Sequence, residues 1–117
     1  MQSVREAAVN KYRAKKTRLD GFVFDSKREA AHYAELKLLE KAGHVNAIEV
    51  HPRFNLHATG ADGIKRKIGQ AILDFRYWDA REKRRRYVDV KGKDLPMSKW
   101  KRKHVEAEHG IKVEIVK

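Results

Sequence analysis

A broad apolar face between residues 26 and 42 is the first strong pattern in the chain, and it predicts a helix. Ser26 suits the N-cap position, and Glu29 follows three residues later, which together make the pattern of a capping box. Alanine and leucine, both good helix formers, are frequent in the positions that follow. Gly43 then ends the run, as glycine commonly does after the last turn of a helix. We therefore expect a helix near 26–42.

Beyond this helix, hydrophobic and polar residues alternate in short segments, which is typical of strands with one buried face. Strands are predicted over 45–50 and 54–57, with Pro52 interrupting them and a turn-rich segment at 58–63. The clearest alternation runs over 71–79. One face of that strand would carry Ile72, Asp74, Arg76 and Trp78, and the other Ala71, Leu73, Phe75 and Tyr77.

The remaining pattern completes the expected fold. Residues 81–86 are predicted as a charged turn and 87–92 as a strand. A second helix is expected to begin near Pro96 and to end before Gly110, and a last strand covers 111–116. The order is helix, three or four strands, helix, strand (α-β-β-β-α-β). It predicts an α/β fold in which helices flank one central mixed sheet.

Charge indicates the kind of partner. The chain carries 28 Lys and Arg against 16 Asp and Glu, a net charge of +12, which indicates a polyanion and usually nucleic acid. The excess lies over 1–20, with net +4, and over 81–103, with net +8. The alternative for 81–86 is a solvated hairpin tip. The candidate phosphate contacts are Lys11, Arg13, Lys15, Lys16, Arg84, Arg85, Arg86, Lys93, Lys99, Lys101, Arg102 and Lys103.

Length and composition set further limits. The 117 residues predict one domain over 21–117, preceded by a basic arm at 1–20 that we expect to be flexible in isolation. The absence of cysteine excludes zinc fingers, thiol nucleophiles and a disulfide scaffold. No apolar run approaches the roughly 18 residues of a membrane span, and no secretory signal is visible, so we expect a cytoplasmic protein without a membrane partner.

Two neighbouring strands each present a carboxylate, and these are the candidate chemistry. Asp74 interrupts an apolar run, and Asp89 stands between two valines. A carboxylate in a buried strand is costly unless a cation pairs with it. Lys91 follows Asp89 by two residues and leaves the strand on the same face. If the two strands form a hairpin, the acids lie close together and, with the lysine, suit one hard divalent cation and a phosphate.

The pattern Asp74, then Asp89-Val90-Lys91, resembles the PD-(D/E)XK nuclease superfamily. Further stretches, among them ILDFRYWD, VDVKG and HGIKVE, resemble its small phage-encoded endonucleases, which are related to phage endonuclease I and the Holliday-junction resolvases. The resemblance covers residues 11–117 and implies a restriction-endonuclease-like core. Two departures are Leu73 in place of a proline and an aspartate at position 89 in place of a glutamate. Residues 58–70 match nothing specific.

The resemblance also implies an activity. Glu29, Asp74 and Asp89 would bind Mg²⁺, for which Mn²⁺ would substitute, and Lys91 would be the catalytic lysine. The protein would be an endodeoxyribonuclease selective for branched DNA such as Holliday junctions, a homodimer, and active in the cytoplasm of a bacterial host. The alternatives are a non-catalytic nucleic-acid-binding module, or a subunit of a phage recombination or packaging complex.

Each candidate residue also has a purely structural interpretation. Glu29 completes a capping box, Asp89 and Lys91 match an exposed pair on a strand, and Asp74 has Arg76 as a salt-bridge partner. Trp100 either stacks on a base or packs into the core. The six histidines show no metal-binding spacing, so we expect surface or core residues and assign no metal to them.

Overall fold

The computed structural model describes residues 16–117 as two helices and eight strands. The helices are α1 (Lys27–Lys41) and α2 (Pro96–His109), and the strands are β1 (Thr17–Leu19), β2 (Phe22–Phe24), β3 (Val45–Val50), β4 (Arg53–Thr59), β5 (Lys65–Ile72), β6 (Phe75–Asp79), β7 (Arg84–Val90) and β8 (Val113–Val116).

Both helices lie where the sequence predicts them. Ser26 Oγ accepts a hydrogen bond from Glu29 N (3.1 Å), so the predicted N-cap of α1 is confirmed. The return bond of the capping box is shifted by one residue, because Glu29 Oε2 accepts from Asp25 N (3.2 Å). Helix α2 begins at Pro96 and stops at Gly110, whose φ of +65° is a left-handed conformation that glycine adopts without strain.

One mixed sheet forms the centre of the fold, in the order β3-β6-β7-β8. The β3–β6 and β6–β7 pairs are antiparallel, and β7–β8 is parallel. The predicted α/β class with a central mixed sheet and two helices is thus confirmed. One side of the sheet packs on α1 through Phe24, Leu36, Phe75 and Val88. The other packs on α2 and on the β4–β5 ladder through Leu56, Leu73, Val105 and Val113.

The prediction of a single strand over 71–79 is wrong. The chain breaks at Leu73 and Asp74, so β5 pairs with β4 in a separate ladder while β6 joins the central sheet. Leu73 N donates to Pro52 O, and His51 N donates to Asp74 O, both at 3.0 Å. Burial still alternates through the break, which is why periodicity alone shows no interruption there. Most of β5, over 65–70, was not predicted at all, because its side chains are largely exposed.

The charged turn is shorter than predicted, since Arg84–Arg86 belong to β7 and the turn occupies 80–83.

A hairpin that the sequence did not predict is formed by β1 and β2, and it turns at Asp20 and Gly21. This hairpin crosses the predicted boundary between the arm and the domain at residue 20. Lys16 is exposed just before it, whereas Lys11, Arg13 and Lys15 lie outside the described residues.

Candidate metal centre

Two aspartates meet at one end of the β6–β7 hairpin. Asp74 immediately precedes β6, and Asp89 is the penultimate residue of β7, next to the pair Phe75–Val88. Asp74 N donates to Asp89 Oδ1 (3.1 Å), and Val90 N donates to Asp74 Oδ2 (2.7 Å). These two bonds hold the carboxylates side by side, as the strand pattern predicts.

Glu29 and His51 complete the cluster from two other elements. Glu29 lies in the first turn of α1 and is 8% exposed, and His51 lies between β3 and β4. One ligand atom from each of Glu29, His51 and Asp74 lies within 4.8 Å of the others. The backbone of His51 adopts φ +55°, an uncommon conformation for a residue other than glycine, and Pro52 follows it. Such backbone strain is frequent at functional sites.

Lys91 approaches the cluster from the end of β7. Its Nζ lies 3.7 Å from Asp89 Oδ2, and its side chain is half-buried. Its backbone N donates to Val116 O (2.8 Å) on β8, so the parallel neighbour strand fixes where the lysine leaves the sheet. Within the described part of the chain, Lys91 is the one cation at ion-pair distance from Glu29, Asp74 or Asp89.

Burial and mutual repulsion make these acids unusually hard to ionise. Burial raises the pKa of Asp74 to about 7, with further increases from the charges of Glu29 and Asp89. Burial also raises the pKa of Asp89, although the Lys91 ammonium partly offsets this. The pKa of Glu29 is raised in the same way, against a bond from the Asp25 amide. A divalent cation bound among these acids would reverse these shifts, so the cluster is a candidate cation site.

Of the purely structural interpretations of these residues, the structure supports the one for Glu29 and not those for Asp74 and Asp89. Arg76 pairs with Glu49 rather than with Asp74, so the predicted salt bridge is not formed. Asp89 is 7% exposed, and therefore it is not half of an exposed strand pair with Lys91. Glu29 does contribute to capping α1, through the Asp25 amide, while its other oxygen is available to the cluster.

His51 is the residue that sequence reasoning missed. Its place in the cluster depends on the reversal between β3 and β4 and on the hydrogen bond that the His51 amide donates to Asp74 O. Neither feature is visible as a fixed spacing in the sequence, because Glu29 and Asp74 lie far from His51 along the chain. The expectation that none of the histidines takes part in a metal site therefore does not fit the geometry around His51.

The predicted phosphate contacts divide into two groups. Three arginines form ion pairs within the protein: Arg86 with Asp79 and Glu114, Arg84 with Glu82, and Arg102 with Asp94. The others within the described residues are exposed to solvent, and they are Lys16, Arg85, Lys93, Lys99, Lys101 and Lys103. The exposed group lies mainly on and before α2.

Fold and cluster together define an α/β protein with a candidate metal centre at the end of its central sheet. The family model described as "Protein of unknown function (DUF1064)" matches residues 9–116, and the chain belongs to this family. No curated protein and no solved structure matches the chain. None of the described helices has the length and apolar character to cross a membrane.

Proposed function

We propose that the protein is a metal-dependent DNA endonuclease that hydrolyses phosphodiester bonds. The observation that carries this proposal is the convergence of Glu29, His51 and Asp74, with Asp89 hydrogen-bonded to the Asp74 amide and Lys91 as the one cation at ion-pair distance within the described residues. Carboxylates left in this state are expensive for the fold, and function is the usual reason for retaining them.

The residues fit a hard divalent cation. Carboxylate oxygens are the ligands that Mg²⁺ and Mn²⁺ prefer, and Glu29, Asp74 and Asp89 supply them. His51 adds one nitrogen donor. A bound divalent ion would polarise the phosphodiester and lower the pKa of a nearby water.

The chain's own residues orient the reaction. A water loses one proton as its oxygen bonds to phosphorus, the bond from phosphorus to one bridging oxygen breaks, and that oxygen takes up one proton from the solvent, so the step consumes one water overall. Lys91 Nζ, held beside Asp89, donates hydrogen bonds to the phosphate oxygen on which negative charge grows. The amide of Val90 holds Asp74 Oδ2, and the amide of Asp74 holds Asp89 Oδ1, so both carboxylates are already oriented.

DNA is the proposed substrate because of the charge of the chain. A net charge of +12 and the exposed lysines of α2 favour binding to phosphates, which gives affinity without sequence specificity. Selectivity for branched DNA and a homodimeric state rest on the resemblance to resolvases, since two symmetric cuts need two active sites.

A cleavage assay tests the proposal. Labelled four-way junction and matched linear duplex are incubated with the protein in Mg²⁺, Mn²⁺ or EDTA. We expect cutting of the junction that requires a metal and falls by roughly 100-fold or more in Asp74→Asn and in Lys91→Met. Asp62→Asn in the β4–β5 turn and Lys112→Met before β8 are the matched controls, and both should cut like the wild type.

Three results would redirect the proposal. Equal cutting of junction and duplex would keep the nuclease and remove its branch selectivity. Folded protein that binds both DNAs without cutting either would leave the alternative, a non-catalytic binding module. Cutting that survives in both Asp74→Asn and Lys91→Met would place the chemistry elsewhere.

A further inference from the structure

An apolar groove runs between α2 and β5, on the side of the sheet that carries the second core. Leu56 forms its buried floor, and Ile68, Met97 and Trp100 form its walls. Its volume of about 570 Å³ lies in the range of small-molecule sites. It is therefore large enough to accept a planar ring from a ligand.

Trp100 is the most exposed large apolar side chain described, at 74% exposure, with Met97 at 63% and Ile68 at 61%. Tryptophan is highly buried on average, and grouped exposed apolar side chains usually mark a binding surface. Of the two interpretations that the sequence left open, the packed one does not describe Trp100. Its ring is presented to solvent at the edge of the groove.

Charge around the groove selects its occupant. Lys101 and Lys103 line it, Lys99 precedes Trp100, and no acidic side chain of the described residues lines it. A second copy docked by a two-fold axis would bring these lysines against their own counterparts, which is repulsive. A nucleic-acid strand, by contrast, combines negative phosphates with aromatic bases, and such strands bind to stacking side chains in basic grooves.

The groove lies next to the Asp89–Lys91 side of the candidate metal centre. Gln70 and Lys101 line both the groove and a smaller cavity of about 230 Å³ that contains Asp89 and Lys91. Because the two cavities share these lining residues, a strand with a phosphate at Lys91 would place its neighbouring nucleotides next to the groove.

We propose that this groove binds an unstacked nucleobase of a DNA strand, with Trp100 stacking on the base. Binding of the base depends on the groove alone, while its position next to the cut phosphate rests on the proposed endonuclease function. Bases can stack on a protein ring in single strands and at branches that contain unpaired nucleotides, but not in a continuous duplex. The groove thus supplies a physical reason for preferring DNA with unpaired nucleotides over continuous duplex.

Fluorescence in EDTA tests the groove without any cleavage. The chain has two tryptophans, so Trp78→Phe leaves Trp100 as the only one. A single-stranded oligonucleotide should quench this emission, because a stacked base contacts the ring. In otherwise wild-type protein, Trp100→Ala should weaken single-strand binding by roughly 5- to 150-fold and Trp100→Phe by less, with duplex affinity little changed.

The outcomes separate this inference from the proposed function. Quenching by single strands in a protein that cuts no DNA would retain the groove and reject the nuclease. Cleavage without quenching, and with unchanged single-strand affinity in Trp100→Ala, would reject the groove alone. A sedimentation shift from dimer to monomer in Trp100→Ala, with unchanged DNA affinity, would assign the groove to a second copy and overturn the inference.

Discussion

The two ends of the β6–β7 hairpin carry buried aspartates in opposite electrostatic states. Asp79, at the turn end, is 1% exposed, and Asp89, at the open end, is 7% exposed. Both side chains are nearly inaccessible to solvent. Hydrogen bonds from backbone amides nevertheless lower the pKa of Asp79, whereas burial raises the pKa of Asp89. The two carboxylates differ in how deeply each lies in the protein and in the partners around it.

At the turn end, backbone amides and an arginine donate hydrogen bonds to the carboxylates. Asp79 Oδ1 accepts from Arg81 N (3.0 Å) and Glu82 N (3.1 Å), and Oδ2 accepts from the Arg86 guanidinium (3.1 Å). Arg86 also binds Glu114 of β8, which lowers the pKa of that carboxyl. These contacts fasten the turn and the edge strand to the sheet, and they leave no carboxylate in need of an external cation.

At the open end, the carboxylates have fewer cationic partners among the described residues. Burial raises the pKa of Asp74 to about 7, although Asp74 Oδ2 accepts a hydrogen bond from the Val90 amide. The pairing of β6 with β7 thus holds Asp74 and Asp89 in place at this end without a cation for each. The contrast indicates that a buried acid becomes a functional candidate when the fold holds its position without neutralising its charge.

Removing the arginine of the turn end should give the largest change in stability. In Arg86→Met, Asp79 and Glu114 lose their shared partner, and we expect the free energy of unfolding to fall by about 3 kcal/mol. Urea denaturation measures this. Arg85→Met, on the same strand but exposed, is the control and should change stability by less than about 0.5 kcal/mol. Equal effects of the two variants would show that Arg86 does not neutralise a buried acid.

The same substitution at the two ends should act in opposite directions. Asp74→Asn removes a partly buried negative charge and should raise stability by about 1 to 2 kcal/mol at about pH 8. Asp79→Asn should lower stability, because its carboxylate is the charged acceptor for two amides and a guanidinium. Denaturant titrations of both variants without metal test this, and two changes of the same sign would contradict the contrast.

The gain in Asp74→Asn should depend on pH. The folded pKa of Asp74, about 7, lies above its ordinary value of 3.8, so the folded state binds the proton more tightly than the unfolded state. The carboxyl therefore favours folding below pH 3.8, and this contribution is lost as the pH rises from 3.8 to about 7. The stability difference between variant and wild type should shrink as the pH falls through that window. A constant difference would mean that the pKa of Asp74 is not raised.

His51 offers a smaller test at the open end. An imidazole nitrogen suits Mn²⁺ better than Mg²⁺, so His51→Asn should weaken Mn²⁺ binding by roughly tenfold and Mg²⁺ binding by less. Electron paramagnetic resonance of Mn²⁺, with Mg²⁺ as competitor, measures both affinities. His44→Asn, in the turn after α1, is the control. Unchanged Mn²⁺ affinity in His51→Asn would remove the histidine from the ligand set.

Much of this arrangement was predictable from local signals. The cap at Ser26, the stop at Gly110 and the pairing of β6 with β7 follow from propensity and alternation, and that pairing already places Asp74 beside Asp89. The break at 73–74 was not, because the buried and exposed positions stay in phase across it. Periodicity reports which face a residue occupies, but it does not report which sheet the strand joins.

Contacts between residues that are distant in the sequence were also not predictable. Counting cations marked Arg86 as a phosphate contact, whereas it binds Glu114 on a strand nearly thirty residues further along the chain. His51 reaches Glu29 and Asp74 through a chain reversal rather than a spacing. The positions of Arg86 and His51 depend on how distant elements pack together, which a local sequence pattern does not indicate.

Binding of Mn²⁺ to the intact chain tests most directly the claim that the open end is a metal centre. Titration at neutral pH, followed by the loss of the free Mn²⁺ resonance signal, should show binding by the wild type and by Asp62→Asn. Binding should be lost in Asp74→Asn and in Asp89→Asn, both of which should remain folded. Wild-type protein that leaves the Mn²⁺ signal unchanged, or variants that bind as tightly as the wild type, would contradict the account.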